Sequence, residues 1–459
     1  MLSLRFLGAA GTVTGSKFAL AHDGGTTLID CGLFQGLKEL RLRNWEALPL
    51  APGAIDRVVL THAHIDHSGY LPRLCRAGFR GDVLATRATR DLLGILLPDS
   101  GHLHEEEARY RNETGTTKHH PALPLYTAAD GAAAAARVTG VDWEQRVALG
   151  PNAGAVFRRA GHILGAASVH VDAGGRRLVF SGDVGRYGAP ILHDPAPLGE
   201  ADDVIVESTY GDRAHDATPI DVQLERAIGQ AVARGGGIVI PAFAVGRTQD
   251  LLYYLGTLER AGRIPRLRAY MDSPMAIDAT GVYARHPGEF DDDMRALLAG
   301  GRSPLRSGDF RLARTPQESR AINGVPGPVL IISASGMATG GRVLHHLRRR
   351  LPDPRTTVLL AGYQVAGTRG RSLEDGAQSV RIFGEDVPVR AHVETIHGLS
   401  AHADADGLLR WLRTAARRPR RVFVVHGEPP AARALAARIG RELGWSATVP
   451  ALGETFELD

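Results

Sequence analysis

Three histidines and an aspartate fall within six positions of the stretch Thr61-His62-Ala63-His64-Ile65-Asp66-His67-Ser68-Gly69. Imidazole and carboxylate together suit zinc, which takes nitrogen and oxygen ligands. The apolar run Val58-Val59-Leu60 ahead of them reads as a buried strand. Ser68 behind them is placed to cap a helix through Tyr70-Leu71-Pro72-Arg73-Leu74. The cluster then sits at a strand-to-helix turn. On an extended backbone His62 and His64, two apart, face the same way. Asp66 and His67, beyond the turn, face a second point. The bland alternative is a polar loop that happens to hold histidines. His-x-His-x-Asp-His directly after an apolar strand is hard to reach by chance.

The rest of the chain repeats one form, an apolar strand ending on Asp or His beside Gly. Thr26-Thr27-Leu28-Ile29 ends at Asp30-Cys31-Gly32. A carboxylate buried there needs a partner, and orienting a metal-bound histidine would provide one. Cys31 reads as a small buried hydrophobe. Val156-Phe157-Arg158 precedes Gly161-His162-Ile163-Leu164-Gly165. The hairpin of residues 168–172 and 177–180 ends on Ser181-Gly182-Asp183, and its His170, between Val169 and Val171, is expected on the solvent face. Asp203-Val204-Ile205-Val206 leads into Glu207-Ser208-Thr209-Tyr210-Gly211. A strand over residues 389–396 leads to Ser400-Ala401-His402-Ala403-Asp404, and Arg421–Val425 leads to His426-Gly427-Glu428. His102, His104, His119 and His120 lack an organising carboxylate or strand end and read as surface. His392 and His397 read as structural.

These residues need a scaffold of sheets. Residues 1–30 read as paired strands around the Asp23-Gly24-Gly25 turn, and residues 82–150 look helical. From 213 to 390 continuous apolar strands alternate with helices, which suggests a separate α/β unit with a parallel sheet. Within it, Ser333–Gly341 follows a strand and opens a helix, where small residues offer backbone N–H groups to an anion. The Gly-Lys-Ser/Thr of a triphosphate-binding loop is missing. Gly367-Thr368-Arg369-Gly370-Arg371 is a second basic, Gly-rich loop, and Arg348–Arg350 is equally readable as a solvated helix face. At 459 residues the chain has room for two or three domains. A net charge of +4 is a mild basic bias, compatible with a nucleic-acid partner. Cys31 and Cys75 alone make no disulfide framework, which fits a reducing cytosol. No apolar run approaches a membrane span, and the opening Met1–Gly8 reads as a first strand rather than a signal peptide.

Taken together, the motifs resemble the β-CASP branch of the metallo-β-lactamase superfamily over essentially the whole chain. The resemblance is strongest to compact bacterial ribonucleases related to the nuclease subunit of the eukaryotic mRNA cleavage and polyadenylation factor. Asp30, His62-x-His64-x-Asp66-His67, His162 and Asp183 match the superfamily motifs. Glu207, His402 and His426 match the three motifs that mark the branch. The resemblance implies an αββα sandwich from residues 1–212 and 391–459 with an α/β β-CASP domain, residues 213–390, inserted. It implies two zinc ions, one on His62, His64 and His162, the other on Asp66, His67 and His426, with Asp183 between them. The catalytic set it implies is Asp66, Asp30, His402 and Glu207, with His402, oriented by Glu207, giving a proton to the leaving 3′ oxygen.

The implied activity is hydrolysis of single-stranded RNA in the cytoplasm, endonucleolytic, leaving 5′-phosphate and 3′-hydroxyl ends. Ser333, Ser335, Gly336, Arg369 and Arg371 are the candidate contacts to the RNA backbone, and a homodimer is an open expectation. No appended N-terminal RNA-binding module and no long C-terminal extension are expected. Three rivals stand beside this reading. A small-molecule metallohydrolase is disfavoured by the inserted domain, and an inactive RNA-processing scaffold by the complete set of ligands. A DNA nuclease is disfavoured by His402, since the DNA-repair members tend to lack it. Elemental analysis of the purified chain is expected to find about two metals per chain, and His64→Ala is expected to lose metal and activity together. A chain that stays at one metal after zinc loading contradicts a dinuclear site.

Overall fold

The computed structural model describes residues 2–458 apart from 302–304, 306–308 and 326–327. The side chain of His397 also lies outside the described residues. The chain divides into two compact units, one of residues 1–189, 193–214 and 402–459, the other of 190–192 and 215–401. Among the described residues no helix is long and apolar enough to cross a membrane.

The first unit is built on two seven-stranded sheets. One runs in the order Thr455–Glu457, Ser3–Phe6, Phe18–His22, Gly25–Ile29, Arg57–Val59, Asp82–Thr86 and Val138–Val141. The other runs Ala447–Thr448, Arg421–Val425, Asp203–Glu207, Arg176–Phe180, Ala167–Ala173, Ala153–Arg159 and Val147–Gly150. Alternation along each strand decides which side chains the sheets share. Phe423, Val425 and Ile205 face the inner core with Leu4, Phe6, Leu20 and Ile29 of the first sheet. The Phe6 and Phe423 rings meet at 5.2 Å and those of Phe18 and Phe180 at 6.0 Å, across the two sheets. Val204, Val206, Val422 and Val424 turn outward onto Leu408, Leu409, Trp411 and Leu435, which the helices Ala405–Leu412 and Pro429–Arg438 supply. Sheet face against sheet face, with helices outside, is the αββα sandwich.

Strand direction then sets where chemistry can collect. Gly25–Ile29 and Arg57–Val59 are parallel neighbours in the first sheet. Arg176–Phe180, Asp203–Glu207 and Arg421–Val425 are parallel neighbours in the second. Their carboxyl ends deliver Asp30, His62, Asp183, Glu207 and His426. Ligand-binding groups gather at such strand ends in α/β sheets because the connecting turns diverge there.

The second unit holds a parallel sheet in the order Phe310–Leu312, Arg268–Met271, Val329–Ala334, Ile238–Ala242, Thr357–Ala361 and His392–Ile396. Ile238–Ala242 and Thr357–Ala361 are buried at every position, which explains their unbroken apolar sequence. The expected boundary at 390/391 moves. His392–Ile396 pairs with Thr357–Ala361, so the chain rejoins the first unit only at His402.

Other local expectations change as well. Ser68 does not cap the following helix: it ends the helix Ile65–Ser68, and its hydroxyl donates to the carbonyls of Ala63 and His64. Residues 82–150 contain the strands Asp82–Thr86, Val138–Val141 and Val147–Gly150 besides the helices Arg87–Thr114 and Ala128–Ala135. These strands are too short to show alternation. His170 is buried, because the outer face of its sheet is covered too; its cross-strand neighbour Val179 belongs to the outer core. His104 is half-buried with its ring edge-on to Tyr126. Thr368–Arg371 is not an open loop, since Thr368 caps the helix Arg369–Glu374.

One close approach fixes the metal-binding turn. The segment after Gly25–Ile29 lies directly on the helix Ile65–Ser68, with Cys31 N–H donating to His67 O at 2.7 Å and Leu33 N–H to Ile65 O at 2.9 Å, and the segment before Phe18–His22 joins it through Ser16 N–H to Asp66 O at 2.8 Å. The buried ammonium of Lys17 donates to Gly32 O at 2.5 Å and sits 4.4 Å above the Phe34 ring. Burial without a carboxylate partner pushes its pKa down to about 8. A Cβ on Gly32 would stand 1.6 Å from Asp66 O. Gly32→Ala is therefore expected to destabilise the chain by about 1–3 kcal/mol or more and to lower its metal content. Denaturant unfolding and elemental analysis check this; wild-type values in both contradict the account.

Candidate metal centre

His62 and His64 stand in the loop between Arg57–Val59 and the helix Ile65–Ser68, and Asp66 and His67 form that helix's first turn. The backbone at His64 is extended, with φ −57° and ψ 145°, so His62 and His64 do point to one place. His62 Nε2 lies 3.1 Å from His64 Nδ1, which lies 3.2 Å from His162 Nε2. Asp183 Oδ2 is 3.4 Å from both His62 Nε2 and His162 Nε2. The second group faces the other carboxylate oxygen. His67 Nε2 is 3.2 Å from Asp183 Oδ1 and 3.0 Å from His426 Nε2, and His426 Nε2 is 3.5 Å from Asp66 Oδ2. The seven residues expected as ligands therefore converge as two sets, His62, His64, His162 and Asp183 in one and Asp66, His67 and His426 in the other, with Asp183 Oδ1 also 3.2 Å from His67 Nε2.

The donor atoms fit a metal. A tetrahedral ion with ligands at about 2.0–2.1 Å separates its ligand atoms by about 3.3–3.4 Å, close to the spacings found. Imidazole nitrogens that all converge cannot satisfy one another by hydrogen bonding, because each pair needs one proton. Asp183 Oδ1 is buried and its near neighbours are imidazole nitrogens, His67 Nε2 at 3.2 Å and His426 Nδ1 at 3.7 Å. A carboxylate oxygen so placed, at 2% side-chain exposure, is costly unless a cation faces it.

The electrostatics follow from burial around one anion. Burial pushes His62 down to about 3 and His64 down to about 4, and holds His162 well below the usual imidazole range. Burial works against protonated His67 too, but the charges of Asp183 and Asp30 outweigh it and hold His67 well above its usual value. Burial disfavours the Asp183 anion; the surrounding histidines, His426 and His67 foremost, overcome this and keep its carboxyl well below the usual range. Burial disfavours the Asp66 anion as well, and the neighbouring imidazoles of His426 and His67 overcome it and keep that carboxyl below the usual range.

Behind the donors stands a layer of hydrogen bonds. Asp30 Oδ2 is 2.7 Å from His67 Nδ1, while Thr61 donates its N–H to Asp30 Oδ1 and its hydroxyl to Oδ2. Asp30 and His426 both take left-handed backbone, at φ 58° and φ 50°. Such strain in residues other than glycine gathers at functional sites. Glu207 Oε1 lies 3.0 Å from His402 Nδ1, and the same carboxylate accepts the N–H groups of Val184 and Thr209. His402 Nδ1 is 3.9 Å from Asp183 Oδ2. Burial lowers the His402 pKa, but Glu207 and Asp183 outweigh it and raise it to about 9.

The five candidate RNA contacts lie in the second unit and fare differently. Ser333 is fully buried and its hydroxyl donates to Asp272 O, so it does not face a substrate. Gly336 is buried against Phe243. Ser335 is half-buried with its hydroxyl 2.9 Å from that of Thr339. Arg369 donates to the carbonyls of Arg381, Ala338 and Thr339, and Arg371 pairs with Asp375. The Arg369 guanidinium ties three carbonyls of other segments to its helix, and Arg371 pairs within the helix and its C-terminal cap. Sequence reasoning missed Thr61, Thr209 and Ser16, whose hydroxyls reach His62, His426 and His67. Threonine flanking a histidine motif was the available signal for the first.

Comparison with known proteins gives the family of this fold. Residues 12–226 match the metallo-β-lactamase superfamily, residues 248–373 the β-CASP domain, and residues 386–450 the Zn-dependent metallo-hydrolase RNA specificity domain. The chain is 39% identical over 422 residues to Ribonuclease TTHA0252 of Thermus thermophilus, covering 92% of each chain. It is 33% identical over 458 residues to transcription termination factor FttA of Methanosarcina mazei, covering 95% of this chain and 68% of that one. A protein of Methanocaldococcus jannaschii named RNase J-like is 29% identical over 458 residues, 99% of both chains. A crystal structure of a protein of unknown function from Enterococcus faecalis shares the fold at a TM-score of 0.54, with 13% identity and full coverage of both chains.

In the metal-free centre His67 is held protonated while His62 and His64 are held neutral, so a metal entering the His67 set must displace a proton that a metal entering the other set need not. A protonated imidazole cannot ligate, and a raised pKa lets the proton compete at higher pH. As pH falls, metal is expected to leave the set containing His67 first and the His62, His64 and His162 set later. Metal content measured across a pH series should fall in two steps, with the higher-pH step absent in His426→Ala. A single step in the wild type contradicts the asymmetry.

Proposed function

The chain belongs to the β-CASP family of metallo-β-lactamase-fold ribonucleases, and from that premise we propose that it is a zinc-dependent endonuclease for single-stranded RNA that leaves 5′-phosphate and 3′-hydroxyl ends. His62, His64 and His162 would hold one zinc, Asp66, His67 and His426 the other, and Asp183 would face both. What such a pair of metals supplies when bound is a water-derived nucleophile at neutral pH and positive charge against the scissile phosphate.

The observation that carries the reading is the Glu207–His402 pair beside Asp183. By distance Asp183, Glu207 and His402 could themselves hold an ion. Both Glu207 oxygens, however, already accept backbone N–H groups, and Oε1 also faces His402 Nδ1. That arrangement suits orientation of an imidazole. His402, raised to about 9, is charged at neutral pH. With Nδ1–H directed to Glu207, the Nε2 proton is the one to give. His402 is also the more open residue, at 16% side-chain exposure against 1% for His162. A group that protonates a leaving 3′ oxygen must reach substrate, whereas a ligand need not. Asp30 would hold the His67 tautomer, and Asp66 would complete its ligand set.

RNA rather than DNA is supported by His402, by the match to an RNA specificity domain and by the ribonuclease name of the 39% identical relative. A complete donor set supports catalysis rather than a scaffold role. Two free cysteines suit a reducing cytoplasm. A second setting is favoured by the 33% identical relative named a transcription termination factor, in which the same RNA chemistry would serve termination.

His402→Ala is expected to keep its metal and bind RNA nearly as well, yet cleave about 10²–10⁴-fold more slowly. The deficit should shrink on RNA whose scissile 3′ oxygen is replaced by sulfur, because a thiolate leaves without a proton. Full activity in the variant, or no rescue by sulfur, removes the general-acid role. Loss of metal would make His402 a ligand.

A further inference from the structure

We infer that the hydroxyls of Thr209 and Thr61 are positioning groups that set the tautomers of His426 and His62, so that both imidazoles present Nε2 lone pairs to the metal centre. The inference rests on the two donor sets proposed above and concerns residues outside them.

The argument is a count of protons. A threonine hydroxyl has one proton to donate and lone pairs that accept. Thr209 Oγ1 lies 3.2 Å from His426 O and 3.1 Å from His426 Nδ1. A carbonyl only accepts, so the hydroxyl proton goes to it. What remains on Oγ1 is a lone pair, and only an Nδ1–H can complete that contact. His426 therefore carries its proton on Nδ1 and leaves Nε2 as the lone pair. Nε2 is the atom that lies 3.0 Å from His67 Nε2 and 3.5 Å from Asp66 Oδ2.

Thr61 repeats the count with a different acceptor. Its hydroxyl donates to Asp30 Oδ2 at 3.0 Å and lies 3.0 Å from His62 Nδ1. A carboxylate only accepts, so His62 must supply Nδ1–H, which leaves His62 Nε2 facing His64 and Asp183. Both threonines are buried, at 1% and 3% exposure, so water does not compete for the contacts. Thr209 has a second task. By holding the carbonyl of His426 it steadies a residue whose φ of 50° is strained. His67 receives the same service from the Asp30 carboxylate. The hydroxyls achieve it without adding negative charge beneath the centre.

The test uses the full chain as wild type, Thr209→Val, which keeps the shape and removes the hydroxyl, and Thr209→Ser, which keeps the hydroxyl. Zinc affinity is read by competition with a chromophoric chelator. The tautomer is read on metal-free, ¹⁵N-histidine-labelled protein by long-range ¹H–¹⁵N correlation, with His426 assigned through His426→Gln. Thr209→Val is expected to bind one zinc equivalent about 10–100-fold more weakly, leave the other equivalent unchanged, and move His426 toward the Nε2–H tautomer. Thr209→Ser is expected to behave as wild type. Unchanged zinc affinity and tautomer in Thr209→Val overturn the inference, as does a serine variant that restores neither. If Thr209→Val does not fold, Thr61→Val read at the His62 tautomer decides the question by the same criterion. A wild-type chain that binds a single zinc would end the two-metal reading, while the tautomer measurement would still judge this one.

Discussion

Asp183 is an anion in the interior of a sandwich, 2% exposed at its side chain, with one oxygen toward each set of histidines. Taking a carboxylate out of water is paid back only by cations and hydrogen-bond donors held close. The surroundings of the centre answer that demand. In the absence of metal, protons on His67 and His402 supply balancing charge, because carboxylates outweigh burial at those two rings whereas burial prevails at His62, His64 and His162. The same negative potential that gathers protons is what would gather zinc. The centre is therefore preorganised for cations by one buried charge, and His67 and His402 are the rings at which nearby carboxylates outweigh burial.

Holding five imidazoles and two carboxylates against mutual repulsion and desolvation needs a stiff frame. The strand ends of two packed sheets provide it, because the loops and the short helix that carry the donors follow strands whose inner faces are locked in the phenylalanine-rich core. Close backbone passages complete the frame. Gly32 lies on the carbonyl of Asp66, and Gly427 passes within contact distance of Ser208, so a side chain at either position would force the donors apart. The groups that aim the rings differ in kind, carboxylate for His67 and His402, neutral hydroxyl for His62 and His426. That choice limits the negative charge collected in a small volume.

The motif residues were legible in the chain for a local reason. A polar residue at the end of an apolar strand, beside glycine, announces both its chemistry and its position in the fold, as Asp30, Asp183 and His426 do. The substrate contacts were less legible. Ser333, Gly336, Arg369 and Arg371 have the composition of an anion-binding loop, but composition does not reveal that one hydroxyl turns into the core or that a guanidinium is already shared among carbonyls. The strand His392–Ile396 shows the same gap. Its sequence says strand, and only its pairing with Thr357–Ala361 assigns it to the second unit.

The amino-acid sequence alone determined the donor types, their order, the alternation that buries one face of each strand, and the family to which these motifs point. The tertiary structure decided which oxygen of Asp183 meets which histidines, which nitrogen of each ring faces the centre, and which buried hydroxyls stand behind them. Residue types and backbone preferences are carried by near neighbours in the chain. The meeting of His67 with His426, 359 positions apart, is set by how two sheets pack, a property of the whole core.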